Sequence, residues 1–204
     1  DDEMRRGRPT CHVAFGEDIA LLAGDGLLTR AFGVLASNRA VSAEAVRDAV
    51  AALSAAAGSF GMIGGQVMDL AGEGKTLTLA QLEKLHRHKT GALIAVSAEL
   101  GCIAAGLSRE DPRTCAACAF AQGIGLAFQV VDDVLDVTSD VSVLGKNTGS
   151  DERCEKTTFL SYYDVEGALA VARQTTEDAK SRLADVTGSE FLCALADYLI
   201  TRKN

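Results

Sequence analysis

The stretch DPRTCAACAFAQGIGLAFQVVDDVLDVTSD, residues 111–140, decides the fold. Its apolar residues recur at helical spacing, Pro112 stands where a first turn tolerates it, and the pattern predicts one long helix from about Asp111 to Ser139. Along it Gln122, Gly125, Gln129, Asp132 and Asp136 follow at steps of 3, 4, 3 and 4, one polar stripe on an otherwise apolar helix. Near its end Asp132, Asp133 and Asp136 gather like charges on one side, which is unfavourable unless something positive offsets them. A hard divalent cation is an economical partner, and magnesium usually keeps waters while bridging one or two carboxylates to a substrate phosphate. The plainer alternative is an exposed acidic helix end.

The rest of the chain agrees with an all-α fold. Pro occurs only twice and Trp never, while Ala and Leu recur throughout. With 204 residues, 48% of them hydrophobic, there is enough to bury one substantial core, and neither a linker nor a repeat marks a second. Residues 1–204 are therefore expected to form a single domain. Helices are expected from Gly16 to Ser37, from Ser42 to a Gly-rich stop near Gly72, from Thr78 to Gly106, from Asp164 to Val186 and from Ser189 to Arg202. Val141 to Leu160 reads as a loop with a short helical turn. Gly58, Gly61, Gly65 and Gly72 leave one face of the second helix nearly bare, so a neighbouring backbone or a ligand can come close.

Composition also excludes partners. A net charge of −8, with no basic run interleaved with aromatics, speaks against nucleic acid. No stretch reaches the roughly 18 uninterrupted apolar residues of a membrane span, and the first residues lack the layout of a signal peptide. The expectation is a soluble protein. Six scattered cysteines, at 11, 102, 115, 118, 154 and 193, fit reduced thiols in a cytoplasm better than a disulfide framework. Cys115 and Cys118 form a CxxC without a second pair, and small core residues are the simpler reading.

Other charged residues point towards phosphate chemistry. Lys89 lies on the line Leu82, Leu85, Lys89, Ala92 and Val96, the face expected to turn inward, although a lysine can also snorkel out of such a face. Arg5 and Arg6, in RRGRPT, offer adjacent guanidinium groups suited to phosphate oxygens. Asp69 sits on the glycine-lined stripe, aimed at small residues. Together they suggest a cavity between helices that holds metal ions and a diphosphate.

The segments RRGRPTCHVAFGEDIALLAGDGLL, GGQVMDL, HKTGAL and GLAFQVVDDVLDVTSDVSVLGK, in that order, resemble the motif series of the trans-prenyl diphosphate synthase family, in particular bacterial farnesyl and geranylgeranyl diphosphate synthases. The resemblance covers the whole chain. It implies an all-helical isoprenoid synthase fold, an antiparallel bundle around a central cavity, magnesium as cofactor, and usually a homodimer. The implied reaction is condensation of an allylic diphosphate with isopentenyl diphosphate. By the same resemblance DDVLD is the second aspartate-rich motif, with Asp132, Asp133 and Asp136 as metal ligands. Arg5 and Lys89 and Lys146 would hold the allylic diphosphate, and Arg6 the isopentenyl diphosphate. Thr90 and Gln129 would flank the allylic cation, Gln66 and Asp69 would line the neighbouring wall, and Lys156 would sit in a loop that closes over the site.

The family's first aspartate-rich motif should end just before residue 1, so the resemblance implies a chain lacking the family's N-terminal part. Absent helices would leave apolar surface exposed. The alternative is a noncatalytic subunit that pairs with a complete partner, a role in which the aspartate motifs usually degrade; here DDVLD, RRG and HKT are intact.

Overall fold

The computed structural model describes residues 2–5, 7–138 and 156–202. The chain opens with a small antiparallel hairpin, β1 (Met4–Arg5) and β2 (Arg8–Pro9), in which Arg5 faces Arg8 across a turn at Gly7 with φ +72°. The described remainder is helical: α1 (Cys11–Phe15), α2 (Glu17–Ala36), α3 (Ala43–Ala57), α4 (Met62–Gly72), α5 (Leu79–His86), α6 (Ala92–Ala104), α7 (Pro112–Thr138), α8 (Val165–Ser181) and α9 (Glu190–Thr201). The all-α expectation holds.

Local sequence explains most boundaries. Ser42 accepts the Ala45 N–H at the start of α3, and Asp164 accepts the Gly167 N–H at the start of α8. Thr78 and Gln81 form a reciprocal capping box that opens α5. Two expectations need correction. The helix expected from Ser42 to Gly72 is two helices, because residues 58–61 form a turn in which the Gly58 backbone is extended. The helix from Thr78 is continuous to Ala104 but widens into one π turn, Arg87–Gly91, between α5 and α6. A π turn holds an extra residue, so the side chains beyond it are rotated relative to a regular helix.

Helix α7 is the centre of the molecule. It packs against α8 on one side and α6 on the other. Around its C-terminal half Leu126, Val130, Val131 and Val134 bury together with Leu82, Phe159, Ala168 and Ala172. Around its N-terminal half Phe120, Ala121 and Ile124 bury with Ala95, Ala179, Leu183 and Ala196. A smaller cluster joins α3 to α6 through Ala52, Leu53, Ala57 and Val96.

The expectation about membrane spans is also modified. Averaged over a window, the helices Glu17–Ala36 and Pro112–Thr138 are long and apolar enough to cross a membrane, and so is the segment Ala43–Gly72, although residues 58–61 break it. An uninterrupted-run criterion misses them because single polar residues such as Asp25 and Gln129 break each run. The surface left by α1 and α2 is correspondingly greasy: Val13, Phe15, Leu21, Leu22, Leu27 and Val34 are all exposed.

Candidate active site

A pocket of about 170 Å³ lies between α4, α5, the π turn, α7 and residues 156–158. Lys89, Gln129, Asp132, Asp133, Asp69 and Lys156 all line it, so six of the residues singled out from the sequence are brought together. The π turn presents Lys89 and Thr90 towards α4 and α7. Close approach makes this possible. A Cβ on Gly65 would lie 2.1 Å from the Lys89 backbone nitrogen, and one on Gly125 would lie 2.9 Å from Gly91 Cα, so α4 and α7 both press against the turn where only glycine fits.

Separate polar contacts tie the pocket walls together. Lys89 Nζ donates to Asp69 Oδ2 at 2.8 Å, and Lys156 Nζ donates to the same oxygen at 3.0 Å. The Thr90 hydroxyl donates to Gln129 Oε1, tying the turn to α7. Asp133 Oδ2 accepts the Phe159 N–H at 2.8 Å, and Phe159 stacks on His86 with ring centroids 5.8 Å apart. Thr157 Oγ1 accepts the Leu77 N–H and donates to Lys75 carbonyl, which pins the chain beside Lys156 to the loop before α5.

Burial tunes two of these groups. Burial pushes the Asp69 carboxyl up, but the hydrogen bonds and charges of Lys89 and Lys156 outweigh it and hold it below the ordinary carboxylate value. Burial, reinforced by the Lys89 charge and only partly opposed by Asp69 and Asp132, lowers His86 to about 4. The imidazole is therefore neutral at physiological pH, and neither ring nitrogen has a partner among the described residues.

Other expected residues lie elsewhere. Gln66 is exposed on α4, outside the pocket lining, and Arg5 lines a separate shallow cleft with Arg8, Thr10 and His12. Gln122, the first member of the polar stripe, is exposed in a cleft beside Arg87 and Asp178. Arg6 and Lys146 lie outside the described residues. Sequence reasoning missed Arg202, which donates to Asp132 Oδ1 at 3.1 Å while its guanidinium stacks 3.6 Å above the Phe128 ring. It also missed His86 and Thr157. The HRHKT spelling placed His86 three residues before Lys89, but nothing local signals that it is buried.

The acidic residues bear on whether magnesium fits. Asp132 and Asp133 present carboxylates to the pocket, hard oxygen donors of the kind magnesium takes. Asp136 is buried, and neither of its oxygens has a partner among the described residues, an arrangement that a nearby positive charge would relieve. Among the described residues no three acidic, His or Cys side chains converge on one point. The donor set thus fits a metal that keeps waters and leans on one or two carboxylates and a ligand phosphate, and does not fit an ion caged by protein alone.

The chain belongs to the polyprenyl synthetase family, whose profile matches residues 1–191. Its relatives include farnesyl diphosphate synthase of Escherichia coli, 44% identical over 99% of this chain and 69% of that protein. Geranylgeranyl diphosphate synthase of Cyanophora paradoxa is 39% identical over 100% of this chain and 68% of its own length. Among solved structures, a geranyltransferase from Helicobacter pylori, complexed with magnesium and isoprenyl diphosphate, superimposes with a TM-score of 0.84 at 33% identity, covering 98% of this chain and 64% of that one. The chain spans about two thirds of the length of these relatives. Family members with these names are enzymes, which favours the enzymatic reading over a noncatalytic subunit.

Proposed function

We propose that this protein is a prenyltransferase that condenses an allylic diphosphate with isopentenyl diphosphate to make farnesyl or geranylgeranyl diphosphate. The observation that carries this reading is the convergence of Lys89, Lys156, Asp132 and Asp133 on one pocket, with Gln129 at its wall and Thr90 bonded to Gln129. Lys89 and Lys156 are cationic donors for diphosphate oxygens, and the family resemblance adds Lys146 and Arg6 to them, whereas Arg5 lines a separate cleft. Asp132 and Asp133, with Asp136 behind them, would hold magnesium, which would supply positive charge against the departing diphosphate.

The carbon–oxygen electron pair leaves with the diphosphate, and the double bond of isopentenyl diphosphate forms the new carbon–carbon bond. Loss of one proton, to the released diphosphate, restores a double bond. The polarised Thr90–Gln129 pair provides an oxygen dipole beside the transient cation, while Leu82, Leu85 and Phe159 form an apolar backing that excludes water. Asp69 belongs to the α4 wall, whereas Gln66 lies outside the pocket lining. Positioning and electrostatics carry the rate, with no covalent enzyme intermediate.

The protein acts in the cytoplasm as a homodimer. Among the described residues five cysteines are free, and the exposed apolar side chains of α1 and α2 form a surface that a second copy would cover. The Asp132, Asp133 and Asp136 carboxylates argue against α7 spanning a membrane. The test is condensation of isopentenyl diphosphate with dimethylallyl or geranyl diphosphate, with product length read by mass spectrometry and subunit number by sedimentation. Magnesium-dependent fifteen- or twenty-carbon products, at about those lengths, are expected from this reaction class. Absence of product at every magnesium concentration contradicts the proposal.

A further inference from the structure

Asp69 stands between two cations that arrive from different parts of the chain. Its Oδ2 lies 2.8 Å from Lys89 Nζ in the π turn and 3.0 Å from Lys156 Nζ in the stretch leading to Phe159. Two ammonium groups so close to one oxygen repel each other, and a shared carboxylate is what allows both to remain inside the pocket. The geometry behind this contact is built in. Gly65, one turn before Asp69, is the residue on which the Lys89 backbone rests, so the α4 face carrying Asp69 is brought directly against the lysine. The Asp69 side chain is only 15% exposed, which limits screening by water. Lys156 has a second acidic neighbour, Glu73 Oε1 at 3.5 Å, so its ammonium has an alternative partner at the end of α4.

A diphosphate offers several anionic oxygens to the same donors. Resting on the prenyltransferase reading above, we propose that Asp69 is a positioning residue: it holds Lys89 and Lys156 aimed into the pocket before ligand arrives and passes them to the diphosphate, without itself touching ligand or metal. This departs from the wall-lining role given by the family resemblance, and it assigns one carboxylate the task of pre-ordering two lysines from two segments.

The test uses calorimetric titration of the full chain with inorganic pyrophosphate at several magnesium concentrations. Asp69→Asn is expected to weaken pyrophosphate binding by about tenfold, the order of one lost charge-assisted hydrogen bond, with unchanged magnesium dependence. Asp69→Glu, which keeps a carboxylate within reach of both lysines, should recover most of that loss. The decisive comparison is Asp69→Asn combined with Lys156→Met. If Asp69 acts through the lysines, the two changes together weaken binding by less than the product of their separate effects. Multiplying effects, a raised magnesium requirement, or unchanged or tighter binding in Asp69→Asn overturns the proposal. Failure of the unsubstituted protein to bind pyrophosphate at all would instead overturn the prenyltransferase reading on which it rests.

Discussion

Helices α2 and α7 are both long and apolar, yet no residue of α2 is buried while thirteen of α7 are. The difference lies in their neighbours. Helix α7 has α6 and α8 along two sides, so its Val, Ile, Phe and Leu side chains meet apolar partners from both. Helix α2 reaches the core along one edge, where Ala31, Phe32 and Leu35 meet the α3–α6 cluster; it also packs against α1, and leaves Leu21, Leu22, Leu27 and Val34 exposed. Apolar periodicity therefore shows that a helix wants company, and the surrounding chain decides whether it finds it. The carboxylates Asp132 and Asp133 lie at the well-packed end of α7, where the backbone that carries them is held firmly.

Substitutions can break this contrast. Phe159→Ala, in the cluster around α7, should lower unfolding stability by about 3–5 kcal/mol, whereas Leu27→Ala on α2, measured at concentrations too low for self-association, should change it by less than about 0.5 kcal/mol. Urea unfolding of both variants checks this, and comparable losses would mean that α2 is packed in solution by something the contacts described above do not include.

A smaller effect sharpens the account of the pocket wall. His86 is neutral in the folded protein because its value falls from 6.5 to about 4, so folding stability is complete above the unfolded value and declines as pH drops from about 6.5 towards 4. That shift corresponds to about 3 kcal/mol. Asp69, held below the ordinary carboxylate value, contributes above that range and loses its contribution only at still lower pH, so the two windows separate. Measured by urea unfolding at several pH values, His86→Leu should flatten the loss between pH 6.5 and 4; an unaltered slope would mean that His86 is protonated or solvated in the fold. The smallest effect concerns the entry to α5, where Thr78→Ala should cost about 1 kcal/mol through loss of the capping box.

Much of this architecture was legible because it is local. The α7 periodicity, the Ser42, Thr78 and Asp164 caps and the inward setting of Lys89 all follow from residues within a turn or two of one another. The glycine-lined face anticipated the close approach at Gly65, though the same glycines hid the break at residues 58–61. What stayed hidden depends on distant partners. Nothing near Asp132 announces Arg202, seventy positions later, and nothing near His86 announces the Phe159 ring beneath it. The fate of Asp136 was equally unreadable. It lies one turn beyond Asp132, yet its carboxylate is buried and is not among the residues that line the pocket.

The most direct test of the central claim compares two acids, one on each of the contrasted helices, by their effect on the rate of condensation with saturating magnesium. The account predicts that Asp132→Ala on α7 lowers the rate by about a hundredfold or more, while Asp25→Ala on α2 leaves it within about twofold. Near-normal turnover by Asp132→Ala would contradict the claim that this pocket is where magnesium and diphosphate meet.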